Sequence, residues 1–142
     1  MNAPIRLYMT MSLDGFIAGP DDQPGQELGR GGFRLFNWLD DRVSGGPSGQ
    51  VFREAMATGA GDCVARARAV AGGRAVMVHG AGAAQALLRA GLLDDMEIHL
   101  VPVLLGSGRR LFDGPGPEHI ELDLVRRLAA RDVTHLRYRV RV

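Results

Sequence analysis

The stretch VMVHGAGAAQALLRAGLLDDMEIHLVPVLLG, residues 76–106, constrains the fold of this chain more than any other. A short apolar run, Ala75 to His79, has the composition of a buried strand. It meets the glycine turn Gly80-Ala81-Gly82, which opens into AGAAQALLRAGLL. There Ala84, Leu87, Leu88 and Leu92 recur at helical spacing and are expected to face inward. MEIHLVPVLLG then carries apolar residues on both parities, as a central strand does. Pro102 marks a bulge in that strand or its end. Strand, turn, helix and strand in this order call for a layered α/β domain.

The flanks agree. In IRLYMTM, Ile5, Leu7, Met9 and Met11 share one parity and Tyr8 partly fills the other, so this strand is expected to be covered on both sides. FRLFNWL, Phe33 to Leu39, is crowded enough for a short helix. QVFREAMATG reads as a second helix after Ser48, and DCVARARAVAGG as a third, capped by Asp62 and closed by Gly72-Gly73. IELDLVRRL and THLRYRVRV flank AARD, a hairpin connection, and Leu136, Tyr138 and Val140 alternate with Arg137, Arg139 and Arg141. The expected architecture is a mixed sheet flanked by helices. Ile5–Met11, Ala75–His79 and Met96–Val101 should be neighbours, with the C-terminal pair at the end opposite Ala75–His79.

Residues 1–142 suit one domain. With 17 basic and 16 acidic side chains, net charge is +1, and no strong field points toward nucleic acid or an anionic membrane surface. The single cysteine, Cys63, allows no internal disulfide and no cysteine zinc cluster; a small, buried or half-buried structural residue is expected. No signal peptide and no apolar run long enough to span a bilayer is evident, which makes a soluble, cytoplasmic protein the expectation.

The glycine turn carries the functional hint. A first helical turn offers unpaired N–H groups and the positive end of a dipole, and glycine lets a ligand approach that backbone. Phosphate or diphosphate is the natural occupant. The turn is neither a Walker A loop nor a GxGxxG fingerprint, so a plain strand–helix turn and an anion site both fit it.

MSLDGFIAG after the first strand, HGAGAAQALLRAGLLDDMEIHLVPVLLGSGRRLF and the final LRYRV together resemble the dihydrofolate-reductase-like family. The closer resemblance is to its branch holding the C-terminal reductase domain of bacterial riboflavin biosynthesis. That resemblance implies a central mixed sheet flanked by helices, NADPH as cofactor, and hydride transfer to a pterin-like or pyrimidine-like small molecule. The riboflavin-pathway substrate type is a 5-amino-6-(5-phosphoribosylamino)uracil. It further implies that Gly80, Ala81 and Gly82 receive the cofactor diphosphate and that Thr10 and Ile17 border the nicotinamide. On the substrate side it implies Asp14, Phe36, Trp38 and Arg109. Asp-Gly also makes turns, Phe36 and Trp38 also suit core packing, Arg109 and Arg110 also suit solvent, and His79 and His99 read as structural.

One departure stands out. The family pattern carries further strands, a helix and a GR.T-like segment for the adenosine 2′-phosphate between the second and third helices. Here REAMATGAG runs directly into DCVARARAVAGG across Gly61-Asp62. The shortened middle predicts a fold lacking the usual edge strands, with AVMVH as a bare edge. A homodimer and weak or lost NADPH binding follow. A degenerate dimerising or small-molecule-binding domain is the alternative.

Overall fold

The computed structural model describes residues 4–40, 68–69, 71–114 and 119–141, with backbone alone for 37–40. The second helix, the Asp62 cap, Cys63 and the Gly61-Asp62 junction lie outside the described residues, as does the Trp38 side chain.

Seven strands are described: β1 Ile5–Ser12, β2 Phe16–Ala18, β3 Val76–Val78, β4 Asp95–Val101, β5 Arg109–Arg110, β6 Leu122–Ala130 and β7 Val133–Val140. Five form one sheet in the order β3-β1-β4-β7-β6. β1 pairs in parallel with both β3 and β4, while β7 pairs antiparallel with β4 and β6. The sheet is therefore mixed. The first strand lies between the two expected neighbours, and the C-terminal hairpin sits at the far end from β3. This is a reduced form of the dihydrofolate-reductase topology. β4 stops at Val101, so Pro102 follows the strand's end and removes no ladder bond.

Helix α1, Ala81–Arg89, packs on one sheet face. Ile5 and Leu7 of β1, Val76 and Val78 of β3, and Met96 and Ile98 of β4 form the core there with Ala84 and Leu88 of α1. Leu92 departs from the expected inward stripe and is 40% exposed. The helix ends at Arg89 and Gly91 turns the chain at φ 68°, so Leu93 takes the buried place instead. The expected helix at 33–39 is a 3-10 helix, Gly32–Asp40.

The opposite sheet face buries polar groups among apolar ones, Met77 beside Tyr8 and a cluster of Leu35, Val101 and Val133. Tyr8, Glu97, His99 and His135 are all buried. Glu97 pairs with Arg126 across the sheet. His99 and His135 face one another across β4 and β7, Nδ1 to Nδ1 2.7 Å, so one ring donates and the other accepts. Tyr8 packs edge-on against His99, ring centroids 4.3 Å apart. His99 is thus a packed sheet residue, as expected of it. Among the described residues no helix is long and apolar enough to cross a membrane.

Candidate functional site

β3 ends at Val78, and two residues later the chain turns into α1. Gly80 holds φ at 96°, a left-handed value that a side chain resists. Its carbonyl accepts the first helical bond, from Ala84 N–H at 3.1 Å. Its own N–H donates to the Met9 sulfur at 3.1 Å, which pins the turn to β1. No side chain caps the helix. The first-turn N–H groups of α1 have no intrahelical acceptor. A Cβ on Gly82 would meet no atom within 4 Å, so the turn is open on that side.

The opening is one wall of a cavity of about 490 Å³, lined there by Ala81, Gly82 and Gln85. The other wall is Gly108, Arg109 and Arg110, with Asp22 and Asp113 at its margins. That second wall exists because β5 pairs with β2, a two-stranded sheet separate from the main one. Gly108 makes the pairing possible: it adopts φ 141°, and a Cβ there would strike the Ala18 carbonyl. Leu111, fully buried, anchors the strand; its N–H donates to Gly15 O and its carbonyl accepts from Gln85 Nε2, both at 3.0 Å. α1 and β5 are thereby fastened at a fixed separation across the cavity.

Two arginines line this space. Arg109 forks onto Asp22, with Nε to Oδ2 at 2.5 Å and Nη2 to Oδ1 at 3.3 Å. The bond lowers the Asp22 pKa and raises that of Arg109. Arg110 lies over the Phe16 ring, 4.8 Å from its centroid.

Asp14 does different work. Its carboxylate accepts from Ser12 Oγ at 2.5 Å, from Leu105 N–H at 3.1 Å and from Gly106 N–H at 2.8 Å. The Ser12 bond, with the two amides, holds its pKa below the usual carboxylate value. Asp14 thus staples the loop after β1 to the loop after β4. Thr10 is buried in β1 opposite His99, and Ile17 is buried in β2. Phe36 is half-buried and packs against the Leu35, Val101 and Val133 cluster. The structure gathers Ala81, Gly82 and Arg109 at one cavity; Thr10, Asp14, Ile17, Phe36 and Gly80 are not among its lining residues.

The family model of the RibD C-terminal domain matches residues 60–136, more than half of the chain. The chain belongs to the RibD C-terminal domain family. No curated protein matches it significantly. Among solved structures, a Shewanella sp. PV-4 protein assigned to riboflavin biosynthesis superposes with TM-score 0.60 at 18% identity, over 100% of both chains. Acinetobacter baumannii RibD gives TM-score 0.62 at 13% identity, covering 99% of this chain but 59% of that one. The riboflavin biosynthesis reductase of Saccharomyces cerevisiae gives 0.57 at 14% identity, covering 99% and 90%. At these identities the likeness is one of fold.

Asp22, Gln85 and Asp113 join the site although the sequence did not single them out. Asp22 sits in the polar run DDQPG and reaches Arg109 across 87 residues. Gln85 alone had a local signal, a polar side chain in the first turns of an otherwise apolar helix.

Proposed function

We propose that this domain is an NADPH-dependent reductase of the riboflavin-biosynthesis type, acting on a pterin-like or pyrimidine-like small molecule. The observation that carries the reading is the cavity between the uncapped turn Gly80-Ala81-Gly82 and the Arg109-Arg110 strand. Open glycine backbone, helix N–H groups and two guanidiniums are the donor set a diphosphate needs. When bound, NADPH supplies the hydride, and the protein supplies position and a dry pocket. Gly80, Ala81 and Gly82 hold the diphosphate. Thr10 and Ile17 border the nicotinamide. Arg109 reaches an anionic group, and Asp14 sets the loops around the substrate, with Phe36 and Trp38 as its apolar wall. The active unit on this reading is a cytoplasmic homodimer joined at the β3 edge.

Titration of the purified chain with NADPH, followed by a reductase assay on the same sample, tests the reading. Saturable binding with shifts at the amides of residues 80–83 supports it, and unchanged amides at millimolar ligand refute it. A non-enzymatic binding domain is the second reading. It is favoured by one feature: Asp22 already neutralises Arg109. Binding without turnover would select it.

A further inference from the structure

The cavity is charge-balanced by its own side chains. Arg109 and Arg110 bring two positive charges, and Asp22 and Asp113 two negative ones. The balance is uneven in structure. Among the described residues Arg110 meets an aromatic ring and no carboxylate, whereas Arg109 is held by Asp22 through two N–H groups. Asp22 lies in the segment between β2 and the 3-10 helix, and that segment is otherwise closed mainly on itself. Gly19 N–H donates to Leu28 O, Arg30 N–H to Pro20 O, and Gln23 and Gln26 exchange backbone bonds. Arg30 pairs with Asp21 within it. Among the described residues, the Asp22–Arg109 pair is its one side-chain tie to β5, the cationic wall.

We infer that Asp22 is a built-in competitor for the anion that this cavity takes, and that anion binding at Arg109 releases the 20–31 segment from β5. The inference rests on the diphosphate reading of the cavity and adds its regulation. A phosphoryl oxygen and a carboxylate oxygen present the same bidentate acceptor to a guanidinium, so only one of them can hold the Nε and Nη2 edge of Arg109. The pair is only part-shielded, with Asp22 22% and Arg109 56% exposed, and an exposed pair of this kind is weak enough to exchange. A diphosphate carries more charge than the carboxylate it displaces. Occupancy would therefore couple to the position of the segment that Asp22 belongs to, with no new contact required.

Pyrophosphate is the probe, titrated calorimetrically into the full chain and its variants. Removing a unit charge about 6 Å from the anion, at an effective dielectric of roughly 40, changes affinity by about tenfold. Asp22→Asn is expected to bind pyrophosphate about tenfold tighter than the wild type, and Asp22→Ser likewise. Arg109→Gln is expected to lose most binding, and adding Asp22→Asn to it should recover only the through-space part. Amide hydrogen exchange across residues 20–31 gives a readout independent of affinity: it should speed up in unliganded Asp22→Asn, and in the wild type on adding pyrophosphate. If Asp22→Asn binds no better, or worse, while Arg109→Gln still loses binding, Asp22 orients Arg109 and the inference is overturned with the site intact. Exchange at 20–31 that stays the same or slows in the pyrophosphate-bound wild type overturns the release. Absence of pyrophosphate binding in every variant removes the site itself, and the inference with it.

Discussion

An aspartate at position 82 separates binding from folding. Space for the new side chain is open, since nothing lies within 4 Å of a Cβ there. What it enters is the space claimed for the diphosphate, with like charge and added bulk. Gly82→Asp is expected to abolish pyrophosphate binding while shifting the thermal midpoint by no more than a few degrees. Met9 tests the same turn from behind. Its sulfur accepts the Gly80 N–H, so Met9→Leu keeps the volume and strips the acceptor. The expected loss is about 0.5–1.5 kcal/mol in stability, with faster exchange at the Gly80 amide. An unchanged Gly80 exchange rate in Met9→Leu would show that the sulfur does not hold the turn.

At the scale of elements, the β4–β7 pairing makes folding sensitive to acid. His99 and His135 meet inside the sheet, and burial, the largest cause for each, pushes their pKa values down to about 3 and about 4. The neighbouring charge of Arg126 acts the same way on both. Unfolded histidine titrates near 6.5, so below that pH the unfolded chain takes up protons that the folded one refuses. Stability should be full above about pH 6.5 and fall as the pH drops toward the folded values. Between pH 6.5 and 5 the loss is expected to be about 2–4 kcal/mol, measurable by urea unfolding. A flat unfolding curve across that interval would contradict it. The β2–β5 pairing has its own test, Gly108→Ala, which forces a side chain onto φ 141° and against the Ala18 carbonyl. A destabilisation of about 1–3 kcal/mol is expected, together with loss of the Arg109 wall.

These two pairings also mark where sequence stops speaking. β1 and β4 were legible because each carries enough apolar residues to state its faces, and α1 because Ala84 and Leu88 keep helical spacing. β2 and β5, three and two residues long, have too few side chains to show a period. They exist because Gly108 and Ala18 approach across the fold. The His99–His135 contact and the Asp22–Arg109 fork likewise join residues 36 and 87 positions apart, and no local pattern announces either.

For the whole molecule the open question is what meets β3. It terminates the described sheet, its three side chains are buried, and among the described residues no strand pairs with its outer backbone edge. Val76 N–H donates inward to Pro4 O, and in a parallel ladder the intervening Met77 then points its N–H and carbonyl outward. No lysine or proline guards that edge in AVMVH, and unguarded edges recruit strands. A two-fold partner adding its own β3 would continue the sheet antiparallel and close both edges at once. Sedimentation over a concentration series is expected to show a monomer–dimer equilibrium. Met77 N–H should then become slower to exchange as concentration rises, while the amides of the β6 edge stay unchanged. NADPH affinity measured along the same series connects the assembly to the site, because Gly80 begins two residues beyond β3 and its N–H is already bound to β1 through Met9. Stiffening β3 from its free side should hold the glycine turn in place, so cofactor affinity is expected to rise with dimer fraction. A persistent monomer that binds NADPH in the micromolar range and turns over normally would show that the edge needs no partner and that the site is complete within one chain.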